Sequence, residues 1–588
     1  MCGIAGIMMR DGSTPNIDIL DKLANAISHR GPDGQGRHIS GAIGLVQTRL
    51  AIIDLNTGDQ PLYDKDGSGS VLVGNGEIYN YLELRKEFGE EKFSTNSDCE
   101  IPLQTYLRDG VTYADNLRGM YALAIHDPNE NKLIITRDPF GIKPLYYVEQ
   151  ENYFAFASEA QALINANLVD PIVSDRKQHE LLQLQFTCGQ NTIYENIKRV
   201  WPGETIVIQS GRIVERHLRP ALPQRKPRTI TDKEALSQLD EILYTTVDIH
   251  QRSDVPYGLF LSGGIDSTIL LSLMAELNDK PVIAYTAGFS DTQVHDERDH
   301  ARMLASVTGA DHHEINFGEK DFWQTLPQIA AAMDDPAADY AILPTWKLAK
   351  AAAQDLKVVL SGEGGDELFA GYGRYRSVMR PWWLGGRNVR HRGIFDNMNI
   401  LLDNSTSWRD RITSHEAVST NSGCNKLQTA QAIDCADWLP NDLLTKLDRC
   451  LMAHGLEGRT PFLDPVVAEF AYLLPDKLKV KGRLGKWLLR SWLEKRMPEA
   501  KPFEKKRGFT VPVGEWIINK GRVLGELVAK QDSIKEIADA KSVEKLFITE
   551  GKRESFAAWS LLFYALWHKA NIEQINPNNR NILDVLEG

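Results

Sequence analysis

Over roughly the first 200 positions, apolar residues come in short runs broken by polar turn clusters, such as residues 64–69 and 127–131. Runs of this kind predict strands at residues 42–46, 51–54, 71–73, 121–126, 133–137 and 153–157. The opening Cys-Gly-Ile-Ala-Gly-Ile run, from Cys2, also reads as a strand. Helical spacing interrupts the series. Ile17, Leu20, Ala24 and Ile27 recur on one face with Asn16 as N-cap, and residues 99–109 read as a second helix. The pattern implies stacked sheets with helices outside.

A Pro- and Arg-rich stretch follows at residues 219–228 (RPALPQRKPR) and reads as a linker. Beyond it the texture changes. A helix at 233–251 leads to a strand at 257–261, the sequence SGGIDS, a helix at 268–277 and a strand at 282–286. Helix and strand then alternate as far as 358–360, the signature of βαβ units and a parallel sheet. After about residue 370, including the pair Trp382-Trp383, the reading is helical.

Composition narrows the function classes. The 588 residues are 42% hydrophobic and 25% charged, ordinary for a globular chain. With 67 Lys+Arg against 79 Asp+Glu the formal charge is −12, which gives no global footprint for nucleic acid. No apolar stretch approaches the ~18–20 residues of a membrane helix. Residues 1–9 are apolar but lack a basic leader, so a signal peptide is not expected. Six cysteines without a CxxC pair suggest neither a disulfide framework nor structural zinc, and a cytoplasmic location is the default.

Cysteine at position 2 would become the first residue if the initiator methionine were removed, placing a thiol and a free amine on one residue. The amine then serves as base for the thiol without a second side chain. A Cys2 present by chance is the bland alternative. Arg49 ends a predicted strand and suits a carboxylate. Asn75-Gly76 is either a hairpin turn or a pair of oxyanion donors. Asp98 is either a helix N-cap or a partner for an ammonium group. Together these pieces suit hydrolysis of a side-chain amide such as that of glutamine.

SGGIDS, Ser262 to Ser267, lies between a strand and a helix, where small residues let the backbone wrap an anion. It is not a Walker A loop. Asp266 would suit Mg²⁺ against a polyphosphate. SGEGGDE, Ser361 to Glu367, also follows a predicted strand, and two such strand ends suit a nucleotide site. Lys486 is either a cation for developing phosphoryl charge or an ordinary surface lysine. Adjacent His312 and His313 point to opposite faces of a strand, against a metal site. Lys505-Lys506-Arg507 reads as a solvated face, with phosphate contact as the alternative.

These motifs carry a resemblance over nearly the whole chain. MCGIAGI, HRGPDG (29–34), RLAIIDL (49–55), QPLY (60–63), NGEIYN (75–80), SDCE (97–100) and RDPFGIKPLYY (137–147) resemble class II, N-terminal-nucleophile glutamine amidotransferases. DVPYGLFLSGGIDS, VVLSGEGGDELFAGY (358–372) and LEGRTPFLD (456–464) are similar to the synthetase half of glutamine-dependent asparagine synthetases. The resemblance implies a four-layer αββα Ntn-hydrolase sandwich at 1–215, a linker at 216–232, and an α/β domain at 233–588. That second domain would be a parallel-sheet PP-loop ATP pyrophosphatase, of the adenine nucleotide alpha hydrolase type, with a helical C-terminal part. It implies Cys2 as nucleophile and Arg49, Asn75, Gly76, Glu77 and Asp98 as the glutamine site, with Asn75 and Gly76 forming the oxyanion hole. Phe260, Leu261, Ser262, Gly263, Gly264, Asp266, Ser267, Ala287, Ser361 and Gly362 would bind ATP. Asp266 and Asp366 would hold Mg²⁺, and Glu363 and Lys486 fall at catalytic positions.

The implied reaction converts aspartate to asparagine through an acyl-adenylate and ammonia carried from Cys2 through an internal tunnel. Glutamine, aspartate and ATP would be the partners, with neither nucleic acid nor membrane, and a homodimer is common in the family. The family's usual LEVRVPFLD has Gly458 and Thr460 in place of two apolar residues here, a difference that bears on the acceptor side. A same-fold amidotransferase acting on a peptide or a biosynthetic precursor, and a non-catalytic metabolite-binding regulator, are the competing expectations.

Overall fold

The computed structural model describes residues 2–289, 292, 297–421, 423–504 and 511–588. The Lys505-Lys506-Arg507 run lies outside them. The strands of the N-terminal half are β1 Gly3–Met9, β2 Gly34–Ser40, β3 Ile43–Arg49, β4 Leu62–Tyr63, β5 Val71–Ile78 and β6 Gly119–Asp127. They continue with β7 Lys132–Arg137, β8 Tyr146–Glu149, β9 Tyr153–Ala157, β10 Lys198–Arg199, β11 Glu204–Gln209 and β12 Arg212–Leu218. They pair antiparallel into two six-stranded sheets, ordered β10-β8-β9-β1-β3-β2 and β12-β11-β7-β6-β5-β4.

Alternation along each strand builds the layers. On β1, Ile4 and Met8 meet Leu45, Val73, Ala124 and Ile135 between the sheets. Ala5 and Ile7 face outward, onto Leu20, Leu23 and Ala24 of the helix Ile17–Ala26. Asn16 caps that helix by accepting from the Asp18 N–H at 2.9 Å. On the outer face of the second sheet, Leu72, Leu123 and Ile125 pack against Ile101, Leu103 and Tyr106 of the helix Ile101–Asp109. The order of layers is helix, sheet, sheet, helix.

Two sequence expectations are corrected. Residues 51–54 form no strand. Their apolar character is spent on the other half of the molecule, where Ile52 and Ile53 pack with Val358 and Met452. The Asp254 N–H donates to the Ile52 carbonyl and Asp254 accepts from the Asp54 N–H, which fixes the loop across the boundary. Asn75-Gly76 is not a hairpin turn but the middle of β5, opposite Ala122 and Tyr121. Glycine is needed there because a Cβ at Gly76 would lie 2.2 Å from the Met120 carbonyl oxygen.

The C-terminal half is built on a parallel sheet of β13 Tyr257–Phe260, β14 Ile283–Phe289, β15 Asp311–Phe317, β16 Val358–Leu360 and β17 Glu457–Arg459. Their order is β15-β14-β13-β16-β17, all parallel. From β13 the chain steps outward to β14 and β15, then returns to the other side for β16 and β17. The reversal falls between β13 and β16, the crevice where parallel sheets bind ligands. A Thr231–Glu234 capping box starts the helix Asp232–His250 that precedes this sheet. The remaining segment is mostly helical, and its long helix Lys552–Asn571 buries Trp559 and Trp567. Trp382 and Trp383 are exposed in a short 3₁₀ turn. Among the described residues no helix is long and apolar enough to cross a membrane.

Candidate active sites in the two halves

β1 begins one residue after Cys2, which is itself buried. The Cys2 backbone N–H donates to Asn75 Oδ1 at 3.1 Å. That bond fixes the Asn75 amide plane and leaves Asn75 Nδ2 buried without a hydrogen-bond partner, a donor available to an oxyanion beside the thiol. Burial pushes the Cys2 thiol up, and the Leu50 N–H and the Arg49 guanidinium pull against that rise. Arg49 ends β3 and is gripped by the loop that follows. It pairs with Asp59 at 2.6 Å and donates to the Ile53 and Asp54 carbonyls.

Asp98 is not a helix N-cap: Ser97 caps the short 3₁₀ turn, accepting from the Cys99 N–H. Asp98 Oδ2 accepts instead from the Ile78 N–H of β5 at 2.7 Å. Burial raises its pKa to about 6. Glu77 is buried too, and its pKa is raised by burial first and by the nearby Asp98 among others. Two crowded carboxylates beside a thiol and an oxyanion donor fit the ammonium end of an amino acid. The Glu77 carboxylate is held at 3.1 Å by Arg459, which arrives from β17 of the other half.

At the second site, SGGIDS turns from β13 directly into the helix Ile265–Leu277, so its backbone faces the crevice from a helix N-terminus. Ser262 Oγ accepts from the Gly264 N–H and lies 3.1 Å from Ser267 Oγ, and Gly263 takes φ +69°. Phe260 ends β13 and Leu261 follows it, and Ala287 lies on the adjacent β14. The Thr286 hydroxyl joins the two strands through the Leu261 carbonyl at 2.6 Å. Ser361 and Gly362 follow β16, and a Cβ on Gly362 would lie 2.8 Å from the Asp266 Cβ. The two loops are therefore in contact.

Lys486 is no surface lysine: it is buried, takes φ +55°, and its ammonium bridges Asp266 and Asp366, the latter at 2.6 Å. Burial alone would lower its pKa, but the two aspartates reverse this and keep it protonated. Glu363 is raised by burial and Glu367 is pushed up to about 7, by burial and then by Asp366. Asp266 and Asp366 thus converge on one cation. Hard oxygen donors from two loops, meeting where an ammonium already stands, fit a divalent ion held against phosphate. His312 and His313 take separate partners: His312 bonds Thr286 and His313 stacks on Tyr285.

Sequence reasoning passed over the residues that join the halves. Arg30, fully buried, is bidentate to Asp448 at 2.8 and 2.9 Å and bonds Glu159 at 2.7 Å. Its Nε also donates to the Cys2 carbonyl. Both Arg30 and Arg459 sit inside motifs, HRGPDG and LEGRTPFLD, but spacing gives no sign of a partner more than 380 residues away. Gly458 lies on β17 against Leu447 and Leu451, at a gap of about 10 Å³ lined also by Ile142, Lys143, Leu444 and Asp448. That departure from the family pattern faces the domain boundary.

The chain matches the Asparagine synthase family model over residues 238–569, and a Glutamine amidotransferase domain model over residues 1–218. It belongs to the asparagine synthase family. It is 32% identical to asparagine synthetase [glutamine-hydrolyzing] 1 of Bacillus subtilis (strain 168), over 98% of this chain and 97% of that protein. It is 28% identical to asparagine synthetase B of Escherichia coli (strain K12), over 92% and 87%. It is also 28% identical to amidase chry2 of Gibberella zeae, over 86% and 87%. The chain is thus a fused amidotransferase and synthetase, an Ntn-type sandwich joined to a parallel-sheet domain, and family membership supports a glutamine-dependent ligase.

Proposed function

We propose that this protein makes asparagine from aspartate, glutamine and ATP, releasing glutamate, AMP and diphosphate. The observation that carries the reading is the pairing of a buried Cys2–Asn75 site with a switch-point phosphate loop in one chain, their domains locked by Arg30–Asp448 and Arg459–Glu77.

Once Met1 is removed, the Cys2 amine takes the thiol proton and the sulfur attacks the glutamine side-chain carbonyl. Asn75 Nδ2 and the Gly76 N–H hold the oxyanion, Glu77 and Asp98 hold the α-ammonium, and Arg49 holds the α-carboxylate. Collapse of the intermediate releases ammonia and leaves a thioester that water cleaves to glutamate.

In the other half the SGGIDS backbone and the Ser262 and Ser267 hydroxyls grip the ATP phosphates, with Phe260, Leu261, Ala287, Ser361 and Gly362 around the nucleotide. The aspartate side-chain carboxylate attacks the α-phosphorus, diphosphate leaves, and a β-aspartyl-adenylate forms. Lys486 stabilises the charge that develops on the phosphates. Asp266 and Asp366 are the residues that would hold Mg²⁺, which when bound neutralises the polyphosphate. Ammonia then attacks the acyl carbon, AMP leaves, and Glu363, kept protonatable by burial, accepts the excess proton.

A second reading has a specific support: the amidase of Gibberella zeae matches as well as the E. coli synthetase, at 28% identity each. In that reading the same machinery amidates another carboxylate. Mass spectrometry of products formed from aspartate, ATP and amide-¹⁵N glutamine decides between them. Labelled asparagine with AMP is expected. AMP formation that aspartate does not stimulate would remove the first reading.

A further inference from the structure

The segment from Leu368 to Phe395 carries six arginines, one histidine and no acidic residue, in a chain whose formal charge is −12. Two of the six are spent inside the fold: Arg374 lies 2.9 Å from Asp434, and Arg390 lies 3.7 Å from the same carboxylate. Arg376 donates to the Arg483 carbonyl. Arg380, Arg387 and Arg392 are exposed, and so is His391, which stands 3.3 Å from Arg387. Glu416, which reaches Asn388 at 3.3 Å, is also held by Arg409 at 2.8 Å. The outer part of the segment is therefore a local patch of positive charge on an acidic protein.

In the middle of the patch, Trp382, Trp383 and Leu384 are 80%, 68% and 63% exposed. The two indoles pack on each other, edge to face, with ring centroids 6.0 Å apart. The turn that carries them is closed by its own backbone. The Leu384 and Gly386 N–H groups both donate to the Pro381 carbonyl at 3.0 Å, and the Arg387 N–H donates to the Ser377 carbonyl at 3.3 Å. Gly385 takes φ +78°, and a Cβ on Gly386 would lie 2.1 Å from the Arg380 carbonyl oxygen. Arg380 and Arg387 thus stand together at the base of an apolar tip.

Contiguous apolar surface of this kind marks a contact. Two aromatic side chains of roughly 150–250 Å² each, with a leucine beside them, offer on the order of 400 Å². That is about half of the ~800 Å² each partner gives to a stable protein interface. A bilayer surface asks for less. Tryptophan sits at headgroup level with its N–H toward water, and a guanidinium grips lipid phosphate through two parallel hydrogen bonds. A small apolar anchor is marginal alone and becomes effective beside cations that an anionic surface attracts.

We propose that the Trp382–Leu384 turn, with Arg380, Arg387 and Arg392, docks this protein reversibly on an anionic lipid bilayer. The family resemblance carries the opposite expectation, of no membrane partner. The contact is interfacial, since among the described residues no helix is long and apolar enough to cross a membrane. The turn is joined to the SGEGGDE loop through the helix Gly373–Met379, roughly 10 Å long, so docking holds the nucleotide crevice near the lipid surface. The proposal is independent of which carboxylate is amidated.

The test floats the full chain with vesicles of phosphatidylcholine alone, or of phosphatidylcholine mixed with phosphatidylglycerol, at low and high salt. Binding is expected only with phosphatidylglycerol present, and should weaken as salt rises. Replacing both tryptophans, Trp382→Ala with Trp383→Ala, should weaken it at least about tenfold. Arg380→Gln with Arg387→Gln should weaken it about 10- to 30-fold and flatten the salt dependence. All four positions are exposed and outside both sites, so glutaminase activity and Tm should stay at wild-type values in each variant. Quenching of tryptophan emission by brominated lipid should be present in the wild type and fall in the tryptophan variant. No flotation of the wild type at low salt, equal binding to both kinds of vesicle, or binding that the tryptophan variant retains overturns the proposal. Absence of flotation together with capture of an acidic protein that depends on the two tryptophans would assign the turn to a protein partner instead.

Discussion

Asp448→Asn tests how the two halves are held together. The Asp448 carboxylate accepts both Arg30 terminal nitrogens, at 2.8 and 2.9 Å, and Arg449 at 2.7 Å. All three side chains are no more than 3% exposed. Burial alone would raise the Asp448 pKa, but the two guanidinium groups hold it below the ordinary carboxylate range. Asparagine keeps the shape yet turns one acceptor into an NH₂ that faces a guanidinium donor. Arg30 is left with Glu159 and Arg449 with Asp334. Removing one partner of a buried pair costs about 3–5 kcal/mol, because the other charge stays buried. Urea unfolding followed by tryptophan fluorescence should show a loss of that order. The same bond network holds the Cys2 carbonyl through Arg30 Nε. Loosening it should let ammonia escape, so glutamate formed per AMP should rise above the wild-type ratio. The double replacement Arg30→Met with Asp448→Leu removes both charges and should recover most of the stability without restoring the ratio. A loss below about 1 kcal/mol with an unchanged ratio would refute the idea that this pair docks the domains.

The remaining predictions concern the separate chambers. Cys2→Ala should abolish glutamine-dependent synthesis while ammonia-dependent synthesis, followed as AMP release, continues; loss of both would contradict separable sites. Asp366→Ala should remove aspartate-stimulated AMP formation while glutamine hydrolysis continues at some rate, and equal loss of both would indicate obligatory coupling. Asp98 carries a pKa near 6, above its ordinary value, so it is ionised above that pH and protonated below it. Glutamine's α-ammonium needs the ionised form, so the KM for glutamine should climb as pH falls through 6, and Asp98→Asn should flatten that dependence. A wild-type KM that is level from pH 5 to 8 would count against this role (about one unit either side of that pKa or more).

Local pattern was enough wherever a residue's environment is set by its own neighbours in the chain. Short apolar runs bounded by turn clusters located β1, β6, β7 and β9, because each buries one face between the sheets and the other under a helix, so both faces are apolar. The helix beginning at Ile17 was legible because its cap and its apolar face lie within one short segment. Glycine-rich turns after β13 and β16 marked the crevice because only small residues allow Gly362 and Gly365 to pass so close to Asp266.

What failed had its cause elsewhere in the chain. Residues 51–54 carry the apolar signature of a strand, yet Ile52 and Ile53 satisfy it against Val358 and Met452. Asn75-Gly76 has the composition of a turn, but β6 pairs along its whole length and holds it extended.

The sequence by itself determined the element types, the two chemical motifs and the thiol at position 2. The tertiary structure alone decided that Arg459 reaches Glu77, that Arg30 reaches Asp448, and that Lys486 stands between two aspartates. The reason is physical: a side chain's charge state and partners depend on what surrounds it after burial, and burial brings together residues whose separation along the chain carries no information about their contact.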